Sequence, residues 1–245
     1  MTAPETPTGR WALRRALVDD RDGPLPAMLV ALTCLAGVVD ATSILALDHV
    51  FVAAVTGNIV FLGIALAGAG GSIVAPAVAV AGFVVGALVG ARVVRHPGGH
   101  RGRAVRDIAA FKLLLAVPVT VVVVLAGDQP LHPAARLAVT ALLAASMGGQ
   151  LALIRYLKVP DLLTAVLTLT TIGILTEHGT GRRDPFVLRR GLALLAFVVG
   201  VVAGALLARV VAPGAALTLG LVIILGVAAG SHAVSRAEAP WTAPR

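Results

Sequence analysis

FVAAVTGNIVFLGIALAG, residues 51–68, contains no charge, yet Thr56-Gly57-Asn58 stand side by side near its start. Whether this stretch crosses a membrane or turns back within one decides the fold of everything around it. A polar triplet in an apolar run presents groups that lipid cannot satisfy. It also follows closely on Asp40, a carboxylate inside the apolar run 26–47.

The class of the chain follows from composition. It is 58% hydrophobic and 13% charged, with a mean hydropathy of +0.95. Soluble domains carry about 25% charged residues, so this chain lacks the polar surface a soluble globule needs. Apolar runs recur at about 26–47, 51–68, 73–94, 111–127, 136–154, 162–176, 191–211 and 213–233. The runs do not alternate as barrel strands do, so the fold predicted is all-α and polytopic in a membrane.

The 20 Lys and Arg outnumber the 12 Asp and Glu. The cations sit between the apolar runs, which is the positive-inside pattern of membrane proteins and argues against nucleic-acid binding. Cys34 is the single cysteine, so no internal disulfide forms. Residues 1–24 show no cleavable signal peptide. RWALRRALV, 10–18, is either a short interfacial helix or part of an unstructured tail.

Charge placement tests how many runs cross. Basic residues cluster in 92–112 (Arg92, Arg95, Arg101, Arg103, Arg106, Lys112) and in 155–190 (Arg155, Lys158, Arg182, Arg183, Arg189, Arg190), whereas 128–135 has none. If all eight runs crossed, one cluster would fall on the wrong side. The conflict disappears if 51–68 and 162–176 enter and turn back. The expectation is six spanning helices, both termini cytoplasmic, and two re-entrant or broken segments. Eight plain helices with one loop breaking the rule is the alternative.

The chain also repeats. FVVGALVGA at 83–91 returns as FVVGVVAGA at 197–205, an offset of 114; Asp40 pairs with Gln150 at 110, and Thr56-Gly57-Asn58 with Thr168-Leu169-Thr170 at 112. Three spans per half is an odd number, so the halves run in opposite directions, a plan common in secondary transporters. The layout expected is a tail at 1–25, a first repeat at 26–127, an external turn at 128–135, a second repeat at 136–233 and a tail at 234–245. Gly82, Gly86 and Gly90, with Gly200 and Gly204, have the spacing that lets helices approach closely.

Asp40 lies fourteen residues into its helix from Pro26, about 21 Å deep. Gln150 lies fourteen residues from Arg136, at similar depth from the other side. Gly37 and Ser43 share the face of Asp40 and open space beside it. A carboxylate at that depth costs about 3 kcal/mol or more, so it is paired, protonated or used. One reading makes Asp40, Ser43, Thr56, Gly57, Asn58, Gln150, Thr168 and Thr170, with Thr164 and Thr171 beside them, an ion or solute site at a broken helix. The other makes Asp40 a hydrogen-bonded structural group, and the threonines bond back to their own helices.

GVVDATSILALDHVFVAAVTGNIVFLGIALAG (37–68) and SMGGQLALIRYLKVPDLLTAVLTLTTIG (146–173) resemble the signatures of the DUF1275 family, YoaK-like bacterial membrane proteins. The first is similar to G-x-x-D-A followed by F-V-x-N-M-T-G-N, and the second to M-G-x-Q-N-A with a Thr-rich stretch. Asp40, Ala41, Phe51, Val52, Thr56, Gly57, Asn58, Met147, Gly148 and Gln150 match. Ala54 and Val55 stand where Asn-Met is usual, Leu151 where Asn is usual, and Asp48 where Gly is frequent. The resemblance implies a multi-pass protein of the bacterial cytoplasmic (inner) membrane and supplies no substrate.

The function expected is a permease for a small solute or ion, with a midplane site and proton coupling through Asp40. The alternative is a non-transporting assembly or regulatory protein. No enzyme motif, cofactor or metal site is expected; His96 and His100 flank Pro97-Gly98-Gly99, which would not hold them on one helix. The partners expected are the lipid bilayer and an unidentified solute or ion; oligomeric state is not legible.

Overall fold

A computed structural model of the chain describes residues 9–95, 99–127, 129–159 and 185–243. Among these are eight α-helices: α1 (Gly9–Leu17), α2 (Leu25–Ala46), α3 (Val55–Leu66), α4 (Val74–Arg95), α5 (Arg101–Ala126), α6 (Pro133–Leu157), α7 (Pro185–Val210) and α8 (Pro213–Val234). Six of them, α2 and α4 to α8, are long and apolar enough to cross a membrane. The outside of the bundle is apolar, as lipid requires: Leu125 is 81% exposed and Leu114 71%.

The stretch 51–68 does not span. Its helix α3 has 12 residues, about 18 Å, against a hydrocarbon core of about 30 Å. An irregular loop at 47–54 leads into it. The candidate second re-entrant stretch, 162–176, lies outside the described residues. So do Thr164, Thr168, Thr170 and Thr171.

Two helix pairs form the body, α4 with α6 and α2 with α7. Both are glycine seams. A Cβ on Gly82, Gly86 or Gly90 of α4 would strike the backbone of Ala141, Ala145 or Gly149 of α6. One on Gly200 or Gly204 of α7 would strike the backbone of Cys34 or Val38 of α2. The glycines bring backbone against backbone, as their spacing predicts. Gly37 has the same role: a Cβ there would meet Phe197 O and Val201 N of α7. It closes a helix contact rather than opening space beside Asp40, which corrects the sequence reading.

The two seams share a register. Cys34 to Ala145, Gly37 to Gly148 and Val38 to Gly149 are each 111 apart, and Phe83 to Phe197, Gly86 to Gly200 and Gly90 to Gly204 are each 114 apart. α5 and α8 pack on each other, α8 also on α2, and α5 also on α6.

The helix ends sort onto two faces. One face holds the turns after α2, α5 and α7; we call it the turn end. The other holds α1, the α4–α5 connection, the C-terminus of α6, the start of α7 and the segment after α8. Charged bonds tie these last together. Arg101 Nη2 donates to Asp22 Oδ1 at 2.9 Å and to Leu157 O at 2.6 Å, and Nη1 donates to Trp241 O at 3.1 Å. Arg189 donates to Ala16 O at 2.9 Å and to Asp19 Oδ2 at 2.6 Å. We call this the latched end. Residues 10–18 are therefore not a loose tail: α1 packs against α7.

Candidate functional site

The loop between α2 and α3 has backbone amides inside the membrane span and no strand or helix to receive them. Asp40 supplies the acceptor. Its Oδ1 accepts from Val52 N at 2.9 Å and Ala53 N at 2.7 Å. Asn58 closes the other side, its Oδ1 accepting from Phe51 N at 2.9 Å while its Nδ2 donates to Phe51 O at 2.5 Å. Gly57 leaves room for the Phe51 ring, which a Cβ would meet at 2.6 Å. That ring stacks on Phe61 of α3, centroids 5.9 Å apart. These contacts answer why Gly57 and Asn58 stand in an apolar stretch: with Asp40 they fold a hairpin inside the membrane. Thr56 is exposed. Ser43 is fully buried, and its Oγ has no hydrogen-bond partner among the described residues.

Gln150 is also buried, but Asp40 is not its hydrogen-bond partner. Its Nε2 donates to Leu32 O of α2 at 3.0 Å, and its Oε1 accepts from Lys112 Nζ of α5 at 2.8 Å. Lys112 also reaches Ser146 O at 3.4 Å. Lys112 is 0% exposed and sits eleven residues into α5, about 16 Å deep. Among the described residues no carboxylate lies within 4 Å of its ammonium. An ammonium in the membrane core held only by neutral oxygens is costly, and such groups mark ion or substrate pathways.

Sequence reasoning counted Lys112 among the loop cations, because the apolar run begins at residue 111. The helix in fact starts ten residues earlier. His100 begins it: its Nδ1 accepts from Arg103 N at 3.2 Å, and its Nε2 donates to Ala237 O at 3.1 Å. One signal was present: Lys112 stands alone after Ile108-Ala109-Ala110-Phe111 and before Leu113-Leu114-Leu115.

Asp40's hairpin and Gln150 meet across a small cavity of about 30 Å³, lined by Ala36, Ala53, Gln150 and Leu151 among others. It has room for about one water. Larger cavities lie at both ends: one of about 400 Å³ at the latched end, lined by Val94, Arg95, Arg155 and Tyr156 among others, and three at the turn end, two of which have charged residues on their walls. One of about 390 Å³ is bounded by α2, α5, α7 and α8, with Thr42, Gln129 and Arg209 on its wall. The other, of about 460 Å³, lies beneath α3 beside Asp48, which pairs with Arg136 at 2.9 Å.

At the latched end the acids of the N-terminal segment are structural. Asp22 is fully buried between Arg101 and Arg189. Burial alone would push the Asp19 carboxyl up; the hydrogen bond from Asp22 N and the Arg189 guanidinium outweigh it and hold the group below its ordinary value. The turn itself was legible: Asp19 to Gly23 reads DDRDG. Gly23 has φ +58°, and a Cβ there would fall 2.6 Å from the Trp241 ring.

The chain matches the family described as "Protein of unknown function (DUF1275)" over residues 28–230, most of its length, and it belongs to that family. No curated protein and no solved structure gives a significant match.

Proposed function

We propose that the chain is a permease for a small solute or ion, built from two inverted halves and working by alternating access. The observation that carries this reading is the Lys112–Gln150–Leu32 chain, a buried lysine amine with no carboxylate within 4 Å among the described residues, joining three helices inside the bundle. The shared seam register supports the halves. Exchanging α2 with α6 and α4 with α7 turns each seam into the other, and the offsets of 111 and 114 hold at every glycine contact compared. Under that register Leu151, not Gln150, stands opposite Asp40, one residue from the pairing read in the sequence. By the positive-inside rule the latched end is cytoplasmic, and the family resemblance implies the bacterial inner membrane. The reading assigns no reaction to the chain.

Proton coupling through Asp40 is the weaker part, because its Oδ1 already holds two loop amides. That same fact favours the second reading, a non-transporting membrane protein whose buried polar groups serve the fold.

Proteoliposomes separate the two. Osmotic shrinkage and a pH-sensitive dye would follow a panel of neutral, anionic and cationic small solutes. The permease reading expects flux of one class that Lys112→Met abolishes while the protein stays folded. Flux that survives Lys112→Met would remove Lys112 from the path. Permeabilities equal to those of empty vesicles across the panel would favour the second reading.

A further inference from the structure

The seam between α4 and α6 is parallel, and it carries two arginines to the same level. Ala141, Ala145 and Gly149 of α6 each stand 59 residues after the α4 glycine they meet. Continued by that step, Arg95 at the end of α4 falls beside Ile154, one residue from Arg155. Both arginines are exposed, and both line the cavity of about 400 Å³ at the latched end. Its floor is apolar, made by Ala87 and Ala91 of α4 and by Leu151 and Ala152 of α6. No other described helix lines it, so it is a groove along two helices rather than a chamber within the bundle. We propose that this groove holds an anionic phospholipid, with its phosphate between Arg95 and Arg155 and an acyl chain along the alanines. Such a groove would be the same in a permease and in a non-transporting protein.

Two guanidiniums at one mouth repel each other, and among the described residues no carboxylate lies within 4 Å of either. The C-terminal dipoles of α4 and α6 favour each arginine singly but leave the pair without a counterion. A phosphate supplies one, and the planar fork of arginine donors matches its oxygens. The depth also fits. α4 has 22 residues, about 33 Å, against a hydrocarbon core of about 30 Å, so its last residue stands at headgroup level. Tyr156, on the same wall, is a residue type enriched at that level. From Arg95 down to Ala87 is about 12 Å, most of the roughly 15 Å of hydrocarbon in one leaflet. Basic pockets between membrane helices bind lipid headgroups in this manner. At the turn end the shared register puts Arg209 at the position of Arg95, but Ile44 and Leu45 at those of Arg155 and Tyr156. Only the latched end has the pair.

Thermal unfolding in detergent tests the proposal, because a ligand that binds the folded state raises Tm as it saturates. The full chain is titrated with phosphatidylglycerol, with phosphatidylcholine and with inorganic phosphate. Phosphatidylglycerol should half-saturate at a concentration about tenfold below phosphatidylcholine, and Arg95→Gln with Arg155→Gln should remove about that tenfold preference. Arg92→Gln should leave it unchanged, because that exposed side chain bonds Leu88 O of its own helix and lies outside the groove. Ala91→Phe fills the floor with both arginines in place; it should weaken the phosphatidylglycerol response too, and it carries the test if the double variant does not fold. Equal response to the two lipids, or an unchanged preference in the folded double variant or in Ala91→Phe, would overturn the proposal. So would a loss as large in Arg92→Gln, which would mean general surface charge. Protection of the parent by millimolar inorganic phosphate as good as that by phosphatidylglycerol would replace the lipid groove with a free-anion site.

Discussion

Asp40 and Lys112 are both buried ionisable groups inside the bundle, and their surroundings differ in kind. Asp40 faces backbone. It accepts from two amides of a loop that has no other partner for them, so its position is set by the fold of residues 51–58. Lys112 faces oxygens of α6, among them the side-chain amide of Gln150, and that amide faces a carbonyl of α2 that already belongs to a helix. Removing Asp40 would orphan backbone; removing Lys112 and Gln150 together would orphan nothing. A polar group that the fold does not require is the better candidate for a role in function.

The difference gives graded expectations. Asp40→Ala should be the most destabilising change: two buried amides lose their acceptor, at about 1–3 kcal/mol each. Thermal unfolding in detergent reads this, and a variant as stable as the parent would break the comparison. Asn58→Ala comes next, with one buried amide unsatisfied and about 1–3 kcal/mol lost. Asp40→Asn keeps an acceptor oxygen and should fall below both.

Lys112→Met with Gln150→Leu should lie within about 1 kcal/mol of the parent, or above it, because apolar replacement of a complete buried polar pair is often neutral or stabilising. A large loss there would make Lys112 as structural as Asp40 and weaken the permease reading. Gln150→Leu alone should cost more than the double change, because it leaves the ammonium with the distant Ser146 carbonyl.

The smallest effect belongs to Asp19. Its folded-state pKa is lowered, so its stabilising contribution is complete above the ordinary carboxylate value of 3.8 and disappears as the pH falls through the lowered value. Asp19→Asn should leave thermal stability nearly flat across that acid range where the parent declines. Unchanged acid sensitivity would place the titration elsewhere.

The six spans and the seam glycines were legible because hydropathy and four-residue spacing are local properties. So was the failure of 51–68 to cross, from the sidedness of Arg and Lys in distant loops. The charges that entered helices were not. α5 begins at Arg101 and α7 at Pro185, both earlier than the apolar runs at 111 and 191 suggest. Their early turns can be buried because Asp22, Leu157 O, Ala16 O and Trp241 O meet Arg101 and Arg189 from 56 to 173 residues away. No local pattern announces such partners. Asp40 was legible as buried but not as a loop acceptor, since the twelve residues to Val52 give no sign that the chain doubles back.

The Arg101–Trp241 bond joins residues 140 apart in the chain. At about 5–20 residues per second, ribosomal synthesis separates the two by roughly 7–28 s. During that interval α5 has been made and inserted, yet one of the acceptors for its first residue does not exist. The guanidinium must stay hydrated at the membrane surface until the segment after α8 emerges. Biogenesis of this protein thus ends with a step that no earlier helix can complete, and a nascent chain halted before Trp241 should expose Arg101 to protease or solvent probes that the finished chain excludes.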